Sequence, residues 1–205
     1  MTFVTPIAGA AALGAVMVIG SSLFAPPAQA GYIVTLTQTG TSVVASGSGS
    51  IDLTGLTFES STSGITIAIN PSAGTMVIGP TPMMGNAGDE YFGLFGPTSF
   101  GSGGFTVASS GGGDIVGEVF GTLYVPKGYV SDNPLSSSAT WNNATLNSLG
   151  VTPGSYEWTW GTGPNQNLTL DIMAAPVPEP SALSVLGVGL AGLALAGIWR
   201  KRRRT

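Results

Sequence analysis

The sequence predicts an all-β domain, an antiparallel β-sandwich or jelly-roll-like fold, flanked by an N-terminal signal peptide and a C-terminal single transmembrane helix. Three observations carry this. Apolar and polar residues alternate with a period of two in several short runs, which gives a strand one buried face. Gly, Pro, Asn and Asp clusters punctuate the runs at strand-length intervals. Charged residues make up 8% of the chain, against about a quarter in ordinary domains, while 32 of 205 residues are glycine.

The length leaves room for one domain with one core, assigned to residues 31–175. In residues 50–58 the apolar phase slips, with Ile51 and Leu53 on one parity and Leu56 and Phe58 on the other; Gly55 at the slip predicts a β-bulge. Ile65, Ile67 and Ile69 alternate with Thr66 and Ala68 as a strand. A longer strand is predicted over residues 115–125, with Ile115, Val119, Leu123 and Val125 on one face and Val116, Glu118, Phe120, Thr122 and Tyr124 on the other. Leu168, Leu170 and Ile172 mark a further strand. Turns are expected at residues 46–49, 70–71, 79–82, 101–104, 111–113, 132–134 and 153–154. The one helical candidate, residues 143–149, is at most two turns long. Thr140 or Asn142 would cap it, Leu146 and Leu149 would face inward, and Gly150 would end it.

Composition narrows the chemistry. With no cysteine and no histidine, disulfides, thiolate chemistry, the usual zinc sites and His-based triads are excluded. No cofactor and no metal are expected. The middle of the chain carries nine acidic residues against Lys127 alone, a charge that repels phosphate backbones, so nucleic acid is excluded as a partner.

Candidate binding residues are few. Tyr156, Trp158 and Trp160 fall on one face of a strand, opposite Glu157 and Thr159. Such a row either stacks on sugar rings as a platform or packs into the core, with Trp141 nearby. Asp89, Glu90, Asp114, Glu118 and Glu157 supply carboxylates, but a glycosidase needs two of them facing each other across a sugar. Solvated loop acids account for Asp89 and Glu90 more simply. The Gly-rich stretches at residues 85–90 and 111–114 offer oxygens to calcium without matching an EF-hand loop.

The ends read as address labels. Residues 7–24 are almost wholly apolar or small, and Ala28-Gln29-Ala30 is a small-x-small cleavage signal, so residues 1–30 form a signal peptide with a mature start at Gly31. Residues 182–199 are uncharged and long enough, at about 1.5 Å per residue, to cross a membrane. The basic cluster Arg200, Lys201, Arg202, Arg203 and Arg204 follows at once and places the C-terminus in the cytoplasm. Before the span stand Val177, Pro178, Glu179, Pro180 and Ser181, whose prolines hold an extended segment with accessible backbone.

The order of motif, helix and basic end over residues 176–205 closely resembles the PEP-CTERM protein-sorting domain. A block within residues 123–163, from Leu-Tyr-Val-Pro-Lys-Gly to Tyr-Glu-Trp-Thr-Trp-Gly-Thr-Gly, also looks like one shared by many uncharacterised proteins of that class. The resemblance implies a membrane-embedded exosortase as partner, an inner-membrane intermediate, and delivery to the cell surface or an exopolysaccharide matrix. The expected role is non-enzymatic, structural or interactive, with exopolysaccharide binding as the alternative.

Overall fold

The computed structural model describes residues 31–81 and 86–174. The predicted leader, ending at Ala28 and Ala30, and the predicted sorting tail, from Val177 to the cluster at Arg200, lie outside the described residues.

Thirteen strands are present among the described residues: β1 (Tyr32–Thr39), β2 (Ser42–Gly49), β3 (Thr57–Ser63), β4 (Ala68–Asn70), β5 (Thr75–Ile78), β6 (Ala87–Phe92), β7 (Thr106–Val107), β8 (Ser110–Gly113), β9 (Val116–Val119), β10 (Thr122–Pro126), β11 (Leu135–Asn142), β12 (Gly154–Thr159) and β13 (Asn167–Ile172). A single 3-10 turn, Pro71–Ala73, links β4 to β5. The strands form a six-stranded sheet in the order β12-β13-β1-β2-β11-β8 and a seven-stranded sheet in the order β3-β6-β10-β9-β5-β4-β7. The all-β, sandwich-like class is therefore as the alternation implies. One pairing departs from it: β1 and β13 run parallel, Tyr32 opposite Leu168 through Leu36 opposite Ile172.

Inward side chains of both sheets share one core. Tyr32, Val34, Leu36, Leu168, Leu170 and Ile172 come from the first sheet, and Ile69, Met76, Ile78, Leu123 and Val125 from the second. Burying a Val, Leu or Ile side chain contributes about 1.5–3 kcal/mol, so a chain without disulfides draws its stability from this cluster.

Several local expectations are corrected. The stretch 115–125 is a hairpin, β9 to β10, with Val119 opposite Thr122 and a two-residue loop at Phe120 and Gly121. Both loop residues have positive φ, 53° and 86°, as a type I′ turn requires. The turn inverts the facing: Glu118 lies opposite Leu123 on the same, inward side. Gly55 sits in a turn closed by Leu56 N–H donating to the Leu53 carbonyl at 3.1 Å, and the bulge falls instead between Phe58 and Ser60. Residues 46–49 and 111–113 are not turns but lie in β2 and β8. Gly47 is required there because a Cβ would sit 2.8 Å from Tyr32 ring carbons.

No helix forms over residues 143–149. One turn closes where Leu149 N–H donates to the Thr145 carbonyl at 3.0 Å, and Thr145 with Ser148, rather than Thr140 or Asn142, satisfies its end. Leu146 and Leu149 are nevertheless buried, and Gly150, at φ 66°, ends the turn. Of the Ile65, Ile67 and Ile69 run, all three are buried but only residues 68–70 pair as a strand.

Candidate functional site

The aromatic row, Tyr156 and Trp158 on β12 and Trp160 just past its end, faces inward. Trp158 and Trp160 are 2% and 8% exposed, and Tyr156 is half-buried. Trp158 donates its indole N–H to the Pro97 carbonyl at 3.1 Å, and Trp160 donates to the Asp52 carbonyl at 2.7 Å. Phe100 meets the Trp158 ring edge-on at 6.3 Å and the Tyr156 ring at 5.9 Å. Trp141 is buried too, its N–H on the Thr106 carbonyl. The row belongs to the core, where each indole N–H needs a partner, and it does not form an open stacking platform.

The acids are likewise accounted for by structure. Asp89 and Glu90 are not loop residues but part of β6. Asp89 is buried, accepting from Gly128 N–H at 2.7 Å and from the Ser61 hydroxyl at 2.6 Å. Glu90 accepts from the Ser60 hydroxyl. Asp114 accepts from Ser136 N–H, and Glu157 from the Asn167 amide. Among the described residues no group of three or more Asp or Glu is placed to hold a metal ion.

Glu118 is the exception. It is 4% exposed. One carboxyl oxygen, Oε1, accepts from Gly121 N–H at 2.7 Å; the other, Oε2, is buried with no hydrogen-bond partner. Burial pushes the carboxyl up to about 7, with the Gly121 amide opposing. A buried, half-satisfied carboxyl is costly and demands a reason.

Glu118 lines a cleft of about 440 Å³, within the range of small-molecule sites. Its walls are Ala73, residues 94–98, Phe120, Gly121 and Trp158. The loop 93–98 straps the two sheets together there. At one end Gly93 and Leu94 N–H both donate to the Gly121 carbonyl at 3.1 Å; at the other Phe95 and Thr159 exchange two backbone bonds at 2.9 Å. Gly96 lies flat on the indole, since a Cβ would stand 2.6 Å from Trp158 Cδ1. The rings of Phe95 and Phe120 are 76% and 74% exposed.

No family model matches the chain, and no curated protein or solved structure matches it either. The cleft must be read from its own chemistry. Among the described residues Glu118 is the one ionisable side chain lining it, and no other lining residue supplies the second carboxyl that glycoside hydrolysis needs. The cleft offers one carboxyl, the Thr98 side chain, two exposed aromatic residues and an otherwise apolar wall.

The shared face of Tyr156, Trp158 and Trp160 is legible in the sequence, whereas the cleft that sets Glu118 apart from the other acids is not. The available signal was a Gly at the second position of a two-residue gap between alternating runs, Phe120-Gly121.

Proposed function

We propose that the protein is an exported bacterial surface or matrix component, delivered by an exosortase acting at Val177, Pro178, Glu179, Pro180 and Ser181, with a non-enzymatic β-domain as cargo. The observation that carries this is the fit between the domain and its two address labels. β1 starts at Tyr32, two residues past the Ala30 cleavage signal, and β13 ends at Ile172, five residues before Val177. Both strands are interior to the first sheet. In sequence, the strands of the domain thus begin and end within a few residues of the two labels.

Cleavage after Ala30 leaves a Gly31 amino group in a prepared place. The Gly31 nitrogen lies 2.9 Å from Asn167 Oδ1, and the Asn167 amide in turn donates to Glu157 at 2.7 Å. The acidic middle of the chain, nine acids against one lysine, suits a body held on the outer side of the membrane while the five basic residues from Arg200 to Arg204 remain inside.

Cells with and without the exosortase, fractionated and analysed by mass spectrometry, test the reading. The surface form is expected to begin at Gly31 and to lack Arg200 to Arg204 only where the exosortase is present. A surface form that keeps those residues in both strains leaves a plain membrane anchor.

A further inference from the structure

We propose that the cleft between the Phe120 hairpin and the loop 93–98 is a binding site for an organic ammonium group, recognised by the rings of Phe95 and Phe120 and the carboxylate of Glu118.

The first support is the hairpin. Phe120 holds φ at 53°, a region that costs a bulky residue energy and that Asn or Gly fills readily in this turn. Nothing local repays this, because the ring is 74% exposed. An outlier of this kind points to use rather than to packing. Phe95, 76% exposed, shares the cleft with it, and two water-facing rings beside one cavity present the surface to which cations are drawn.

The second is the stranded carboxyl oxygen. Glu118 Oε2 is buried without a donor, and the one cationic side chain among the described residues, Lys127, does not line the cleft. A bound cation supplies the missing charge. Anionic ligands are disfavoured by the acidic surface, and an uncharged apolar ligand would leave the carboxyl as it is.

The third is that, among the described residues, no other charged side chain lines the cleft. Glu118 is flanked across its sheet by Met76 on β5 and Leu123 on β10, with Tyr91 one strand further on β6. Residues 94–98 and Trp158 contribute no ionisable group. Affinity for a cation is then set by the ionisation of Glu118 alone and strengthens as pH rises through about 7.

Choline and its uncharged isostere 3,3-dimethylbutan-1-ol separate charge from shape. The full-length protein in nonionic detergent is titrated with each while tryptophan emission, to which Trp158 at the cleft contributes, and binding heat are followed. Choline is expected to bind saturably at pH 8, and the isostere at least about fivefold more weakly. Phe95→Ala, Phe120→Asn and Glu118→Gln should each weaken choline by a similar factor while circular dichroism stays unchanged. Phe120→Asn suits the turn, so its loss of binding cannot be put down to misfolding. Equal binding of choline and the isostere overturns the proposal. So does the absence of saturation at tens of millimolar, unchanged affinity in Phe95→Ala and Phe120→Asn, or self-association of the protein that those two variants abolish.

Discussion

Glu118 Oε1 accepts a hydrogen bond from Gly121 N–H at 2.7 Å across the tip of its own hairpin, and the second oxygen, Oε2, has no partner. The hairpin thus fixes a carboxyl where water does not solvate it, and the consequence is a pH dependence of sign opposite to the usual acid. Between pH 4.5 and about 7 the unfolded chain has released this proton while the folded one still holds it. Unfolding therefore releases a proton, and raising the pH favours unfolding. The stability contributed by this group is fully present below pH 4.5 and declines by roughly 3 kcal/mol as pH reaches about 7. Urea midpoints across that window should fall for the natural protein and flatten in Glu118→Gln. Parallel slopes for the two proteins would remove the burial argument. Asp52 does not confuse the window, because hydrogen bonds from Thr54 lower its carboxyl and its effect lies at more acid pH.

Phe120→Asn should raise stability by about 0.5–1 kcal/mol, because Asn accepts the positive φ of a type I′ turn and no buried surface is lost. Thermal melts of the purified protein check this. A drop in melting temperature would mean that the ring packs in a way its exposure does not reveal.

The hairpin also marks where the sequence stops being legible. Over residues 115–125 both parities carry apolar side chains, so the period cannot show that the chain reverses between Val119 and Thr122. Phe120 occupies a position where Asn would have signalled the turn. The cleft was hidden for the same reason, since Glu118 and Leu123 share a face only once the turn is placed. Ser46-Gly47-Ser48-Gly49 reads as a turn by composition, but its glycine answers to the Tyr32 ring, a tertiary demand. Where one face alone is apolar, as at Leu168, Leu170 and Ile172, the pattern fixed burial and strand together. The Tyr156, Trp158 and Trp160 row was equally readable as a face, and burial decided which way it turned.

Trp160→Phe separates a core role from a surface one. Its indole N–H donates to the Asp52 carbonyl at 2.7 Å and pins the loop before β3. Losing that bond together with part of the buried bicyclic ring should cost about 1–3 kcal/mol, since the carbonyl is left unpaired and a small void opens. Trp160→Ala should cost about 3–5 kcal/mol. Denaturation showing no loss in either variant would restore the exposed-platform reading.

Gly47→Ala should destabilise the domain by about 2 kcal/mol or more. Tyr32 is fully buried, its hydroxyl bonded to Ser137, and an added methyl at residue 47 would meet the ring at 2.8 Å. A buried ring held at both ends in a close-packed core has little room to yield. Gly47→Ala paired with Tyr32→Phe checks the mechanism: if the clash with the tyrosine hydroxyl dominates, the double variant recovers part of the loss, whereas strict additivity would place the damage elsewhere.

Gly31→Ala tests the junction between the proposed leader and the fold. The Gly31 nitrogen is bound to Asn167 Oδ1 at 2.9 Å, and a Cβ on residue 31 would overlap the Asn167 side chain and backbone carbonyl. Residue 31 follows the Ala28-Gln29-Ala30 signal, which the substitution leaves intact, so processing should proceed while folding suffers. The expected outcome is a correctly cut protein, its new end at Ala in position 31, that melts several degrees lower, consistent with about 1–3 kcal/mol of overpacking in a domain of this size. Asn167→Ala removes the side-chain part of the overlap but leaves the Asn167 backbone carbonyl in place, so it should recover only part of the loss while giving up the hydrogen bond. An unchanged melting temperature in Gly31→Ala would mean that the mature amino terminus lies away from Asn167, and the prepared seat for a cleaved end would then carry no argument for cutting after Ala30.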